Sequence, residues 1–212
     1  MIKIRYVTTG SYGTNCYMLM DEESGECAAV DCAVFDDGYR DFLDKLGVKQ
    51  LKYILLTHGH FDHILGVKRL KELYDGDICI HEEDAACLTD ERESLNYYSH
   101  YGVQENVPPD IILHDGDELF LGKNSISVMH APGHTKGGVC YTVNGSMFCG
   151  DTLFRNSMGR TDMPGGSTFT LFATLRKLGE LPGDLDIYPG HGELTTLQYE
   201  KEHNRYLRCK FR

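Results

Sequence analysis

Apolar and polar residues alternate over short runs at the start of the chain. Residues 2–8 and 15–20 predict two strands joined by the turn residues Gly10 to Thr14, and Cys27 to Asp31 predicts a third. The period then lengthens. Tyr39, Phe42, Leu43 and Leu46 fall at i, i+3, i+4 and i+7, which predicts a helix over 36–46, with Asp36 and Asp37 at its start and Gly47 as its stop. Lys52 to Leu56 is a short apolar strand that runs directly into the polar stretch Thr57 to His63. A second helix is expected from about His63 to Tyr74 on the stripe Ile64, Val67, Leu70 and Leu73, with Asp62 placed to cap its free N–H groups. Ile78 to His81 is strand-like, and 82–105 reads as irregular helix ended by Pro108-Pro109.

The second half is richer in strands. Turns at Asp115-Gly116-Asp117 and Gly122-Lys123-Asn124 bracket 118–121, and Ser125 to His130 alternates. Asn144-Gly145 is a strong hairpin signal, joining 138–143 to 146–150. A helix should begin near Ser167 and carry Phe169, Phe172, Leu175 and Leu178 on one side. Asp186 to Tyr188 predicts a last strand, and Thr195-x-x-Gln198 has the form of a capping box for a last helix. Each half therefore runs strands and then helix, with no linker between. The architecture expected is α/β: two packed sheets with helices outside, an αββα sandwich forming one domain over residues 1–212.

The 212 residues suffice for one large core. No apolar run approaches the roughly 18 residues of a membrane span. The start M-I-K-I-R-Y lacks the apolar stretch of a secretory signal, so a cytoplasmic protein that does not bind membranes is expected. A formal charge of −11 with no basic run argues against nucleic acid as a partner. It serves solubility or bound cations. The eight cysteines form no C-x-x-C pair, and most sit in apolar runs, so all are expected to be free thiols. There is no P-loop and no G-x-S-x-G nucleophile elbow.

The chemistry is concentrated in T-H-G-H-F-D-H, which places His58, His60, Asp62 and His63 within six residues. His134 in A-P-G-H-T, Asp151 in C-G-D-T and His191 in Y-P-G-H-G follow far downstream. Three imidazoles and a carboxylate in one short segment carry large desolvation costs and no apolar benefit, so they point to metal. The spacing is not that of H-E-x-x-H, so a strand-to-helix loop presents them. Imidazole with carboxylate suits zinc, with iron or manganese as alternatives. Seven ligands are too many for one tetrahedral ion and fit two divalent ions with one carboxylate shared. Two such ions, two carboxylates and one hydroxide leave a site charge of about +1, which favours an oxyanion transition state. His81, His100, His114, His130 and His203 are expected to be surface or packing residues.

The motifs H-G-H-F-D-H, A-P-G-H-T-K-G, C-G-D-T-L-F and Y-P-G-H-G resemble those of the metallo-β-lactamase fold superfamily, from the first strand to the last helix. Within it, G-R-T-D-M-P-G-G-S (159–167) and the tail P-G-H-G-E-L-T-T-L-Q-Y-E-K-E-H-N are similar to short glyoxalase II-like hydrolases. That resemblance implies two mixed sheets, with His58, His60 and His134 on the first metal, Asp62, His63 and His191 on the second, and Asp151 bridging. It implies hydrolysis of a small-molecule thioester by a metal-bound hydroxide held through Asp62 and Asp151. Arg160 and Asp162 stand where that group carries glutathione-contacting Lys and Tyr, and Arg160 is the candidate to dock a substrate carboxylate. Persulfide dioxygenases share the signature and the G-R-T-D segment, and would place a single iron on His58, His134 and Asp151. A lactone or β-lactam hydrolase and a non-catalytic metal-binding module are the remaining readings.

Overall fold

A computed structural model describes residues 1–99 and 101–208. His100 and Cys209 lie outside the described residues. Two six-stranded sheets stack face to face. The first, in chain order, contains β1 (Ile2–Thr9), β2 (Thr14–Asp21), β3 (Cys27–Val30), β4 (Tyr53–Leu55), β5 (Asp77–His81) and β6 (Ile111–Leu113). β1, β2 and β3 are antiparallel neighbours, and β3 to β6 run parallel. The second sheet is built from β7 (Glu118–Leu121), β8 (Asn124–His130), β9 (Val139–Val143) and β10 (Ser146–Gly150). A small hairpin, β11 (Leu153–Phe154) and β12 (Ser157–Met158), follows. Then β13 (Asp186–Pro189) and β14 (Thr195–Thr196) complete the order β14-β13-β10-β9-β8-β7. β13 runs parallel to β10.

The period-2 rule explains the layers. On β2, Tyr17 and Leu19 point inward, where Val30, Leu55, Val128, Tyr141 and Phe148 join them between the sheets. Cys16 and Met18 point the other way, onto Tyr39 and Leu43 of α1 (Asp37–Leu46). A central strand covered on both faces loses the polar alternation that marks a half-exposed one. The outer face of the second sheet is covered by Leu171, Leu175 and Leu178, with Leu197 from the last helices. Three apolar layers between four structural ones make the αββα sandwich that the alternation predicts.

Local signals set several boundaries. Asp36 accepts from the Tyr39 N–H, and Gly47 closes α1 at φ 72°. The predicted helix from His63 to Tyr74 is instead two pieces, α2 (Phe61–Ile64) and α3 (Val67–Tyr74). Gly66 lies at the break because a Cβ there would sit 2.5 Å from Cys32 Sγ and 2.7 Å from the Phe35 N. Asp62 is inside α2 and caps nothing; the cap position is His60, with no side-chain cap bond. Among the described residues of 82–105, a 3-10 segment (Glu82–Leu88) and α4 (Asn96–Ser99) are the helical parts. Ser167 caps α5 (Thr168–Glu180) as expected, but Phe169 is 87% exposed and the buried stripe starts at Leu171. Thr196, not Thr195, caps α6 (Leu197–His203), and α7 (Arg205–Arg208) follows it. The seven described cysteines are free. No helix among the described residues is long and apolar enough to cross a membrane.

Candidate metal centre

Four segments at one edge of the stacked sheets bring the seven predicted residues together. His58 and His60 follow β4, and Asp62 and His63 lie on α2. His134 follows β8, Asp151 follows β10 and His191 follows β13. Metal-type atoms converge in three overlapping groups, each with all atoms within 4.8 Å: His58/His60/His134, His58/His63/Asp151 and Asp62/His63/His191. His60 Nδ1 is 2.9 Å from His134 Nε2, and His191 Nε2 is 3.3 Å from both His63 Nε2 and Asp62 Oδ2. Asp151 lies between these sets, with Oδ2 3.5 Å from His134 Nε2 and 3.5 Å from His191 Nε2.

The rear nitrogen of four rings is anchored, which turns the other nitrogen to the centre. His134 Nδ1 is 2.7 Å from the Arg160 carbonyl, and His191 Nδ1 is 3.1 Å from the Tyr12 carbonyl. His63 Nδ1 is 2.8 Å from Asp31 Oδ2, and His58 Nδ1 is 3.1 Å from Thr57 Oγ1, which itself donates to Asp31. Glycine lets the chain come this close. A Cβ at Gly190 would lie 2.3 Å from Asp151 Oδ1 and 2.7 Å from His63 Cε1.

The electrostatics divide the cluster. Burial, then the neighbouring imidazoles, holds His58 well below its usual pKa, and burial with His134 brings His60 down to about 3. Depressed pKa values favour the neutral ring, the form that ligates a metal. Burial opposes charge on His63 too, but Asp31, Asp151 and Asp62 outweigh it and raise its pKa well above 6.5. Burial likewise opposes charge on His191, and the Asp62 hydrogen bond and Asp151 overcome it. Asp151 stays a carboxylate despite burial because His63, His134 and His191 surround it. The donors fit a cation on two further counts. His58 Nε2 and Asp151 Oδ1 are buried without a hydrogen-bond partner, and such groups are rare unless something else satisfies them. The mixture of imidazole and carboxylate is that of borderline divalent ions.

A family model described as the metallo-beta-lactamase superfamily matches residues 9–191. The chain belongs to the metallo-beta-lactamase superfamily. Hydroxyacylglutathione hydrolase GloC of Haemophilus influenzae is 30% identical over 213 residues, 99% of this chain and 100% of that one. The crystal structure of BLEG-1 B3 metallo-beta-lactamase matches with a TM-score of 0.89 at 30% identity, covering 97% of this chain and 99% of the other. The structure of TTHA1623 in a di-iron-bound form matches with a TM-score of 0.84 at 32% identity, over 95% and 99%.

Within this superfamily member, the centre floors a cavity of about 650 Å³ lined by Tyr12, Phe61, Leu95, Tyr98, Met163 and Pro164 among others. Arg160 reaches the cavity, but its guanidinium makes a two-pronged pair with Asp162, at 2.7 and 2.8 Å. The Arg160 carbonyl also meets His134 Nδ1, so this residue braces the loop beside the centre. His81 and His130 stack at 4.1 Å, outside the centre, as packing residues. Two carboxylates escaped the sequence reading. Asp31, at φ 58° just after β3, braces His63 and Thr57; a lone Asp after an apolar strand gives little signal. Asp84 is buried and accepts from Gly59 N and Gly137 N at 3.0 and 2.7 Å, tying the His58–His60 loop to the loop after His134. Nothing in the sequence around it distinguishes Asp84 from its acidic neighbours.

Proposed function

We propose that this superfamily member is a dinuclear metal-dependent thioester hydrolase of the glyoxalase II-like type. The observation that carries this reading is the pair of ligand sets meeting at Asp151 beneath an open, mostly apolar cavity. His58, His60 and His134 would hold one ion, Asp62, His63 and His191 the other, and Asp151 would be shared. Bound there, two divalent ions supply Lewis-acid polarisation of the thioester carbonyl and a water acidified toward neutral pH. Zinc fits the donor set, and the di-iron relative makes iron the first alternative. The named activity of the Haemophilus relative supports a thioester as substrate.

The chain's own residues do the rest. Asp62 and Asp151 line the cavity floor as carboxylates, positioned to orient an incoming water through hydrogen bonds. The neighbouring carboxylates raise the pKa of His63 and His191, and ligation of a cation would compete with protons for these rings. Tyr12, Phe61 and Leu95 shield the reacting carbonyl from bulk water, which strengthens each electrostatic contact there. A single-iron dioxygenase has no use for the second set, so the convergence of Asp62, His63 and His191 favours the hydrolase.

Stripped protein, reloaded with zinc in one portion and with ferrous iron in another and assayed with lactoylglutathione and, in parallel, for oxygen uptake with glutathione persulfide, separates the readings. Metal-dependent hydrolysis without oxygen uptake is expected. Oxygen consumption with one iron per chain and no thioester cleavage would reject the hydrolase.

A further inference from the structure

The cavity over the centre is built for a group larger and less polar than a hydroxyacyl chain of three carbons. Phe61 is 8% exposed and sits between His60 and Asp62, so the segment that carries the candidate ligands also supplies an apolar wall. Tyr12 stacks edge-on against it, with centroids 5.2 Å apart, and Tyr101 backs both at 5.2 and 5.8 Å. Met163 and Pro164 add to the lining.

Leu95 is the most telling member. Its φ is 68°, in the left-handed region where a glycine or asparagine is far cheaper than a leucine. Buried neighbours hold it there. Ser94 hydrogen-bonds Gln104, its carbonyl accepts from Phe61 N at 2.9 Å, and Asn96 Nδ2 donates to the Gly102 carbonyl. The position keeps an apolar side chain in the cavity wall at the expense of backbone comfort, and the wall it completes adjoins the candidate ligands.

A second cavity of about 400 Å³ meets the first at His60, Tyr98 and Pro164. Its lining is polar, with Glu83, Arg92, Glu93 and Lys136. A thioester whose carbonyl lies over the centre must extend its two halves in different directions. The charged cavity suits a polar thiol, which leaves the apolar cavity for the acyl group.

We propose that the larger cavity is an acyl subsite, and that the preferred substrates are thioesters of bulky apolar acids, aryl or medium-chain alkyl, with Leu95, Phe61 and Met163 setting that preference. This deepens the thioesterase reading and rests on it. Burying a methylene contributes about fourfold in binding.

The test uses the metal-loaded protein and two substrate series. In the first, acetyl, butyryl, hexanoyl and phenylacetyl esters share one small neutral thiol; in the second, one acyl group is placed on thiols of increasing apolar size. The expected result is kcat/KM rising at least about thirtyfold from acetyl to hexanoyl, with no such rise along the thiol series. A flat or falling acyl series, or a rise that follows the thiol, overturns the proposal. Leu95→Gly removes the side chain and accepts the backbone conformation, and Met163→Ala alters a surface loop. Each should lower the hexanoyl-to-acetyl ratio about tenfold; an unchanged ratio in both counts against the subsite. Calorimetric binding of hexanoate against acetate supplies a readout apart from turnover. Tighter hexanoate binding, lost in Leu95→Gly, without cleavage of any thioester would keep the apolar subsite and reject the hydrolase. Equal binding of the two acids would reject the subsite.

Discussion

Asp31 uses both carboxylate oxygens on the scaffold of the centre. Oδ1 accepts from Thr57 N at 2.8 Å, and Oδ2 meets Thr57 Oγ1 and His63 Nδ1, each at 2.8 Å. It therefore fixes His63 directly and His58 through the threonine hydroxyl. Removing it leaves a buried amide and a buried imidazole N–H without partners, and each is costly to strand in an apolar interior. Asp31→Ala should lose about 3 kcal/mol of stability in urea. Its metal affinity, read by competition with a chromogenic chelator, should fall about 10- to 100-fold. Unchanged affinity in a folded variant would mean that the rings are held by packing alone. Residue-level chemistry of this kind was half legible in advance. His58, His60, Asp62 and His63 stand together in sequence, so their metal character shows without a fold. Asp31 and Asp84 act through contacts 25 to 53 residues away, and no local pattern encodes such a partner.

At the scale of elements, boundaries were readable where the signal is local. Asp36 and Gly47 delimit α1, and Asn144-Gly145 turns β9 into β10, with both turn residues at positive φ. The break between α2 and α3 was not readable, because it follows from the close approach of Gly66 to Cys32 and Phe35. β6 was missed for a similar reason: three residues become a strand only because β5 pairs with them. Phe169 misled because an apolar residue at helical spacing still lies outside the covered face. The buried strands also carry a testable charge effect. Burial pushes the Cys16 thiol on β2 up to about 11 and the Cys140 thiol on β9 up to about 12, against about 9 when unfolded. A thiol with a raised folded pKa stabilises fully below the unfolded value. That stability is lost as pH climbs from about 9 toward about 11 or 12, since only the unfolded chain ionises. Urea unfolding of metal-free protein under reductant should show stability falling above pH 9, by about 1.4 kcal/mol per pH unit for each such thiol. Cys140→Ala should flatten the slope by one thiol's share. A slope identical to the wild type would show that Cys140 ionises in the folded state.

For the whole molecule, the stacking of two sheets explains why seven residues spread from 58 to 191 can meet. β4, β8, β10 and β13 all deliver their following loops to one edge, so every candidate ligand lies just past a strand end. The fold class was legible because alternation and helical stripes recur in each half. The apolar wall formed by Tyr12, Phe61 and Leu95 was not, because these residues come from three separate segments. The central claim is that two ions share one site through Asp151, and metal stoichiometry tests it directly. Stripped wild-type protein and His191→Ala should be titrated with zinc, with bound equivalents counted after gel filtration. Two equivalents in the wild type and about one in His191→Ala, with most thioesterase activity gone, are expected. One equivalent in a fully active wild type, unchanged in His191→Ala, would contradict the two-ion site.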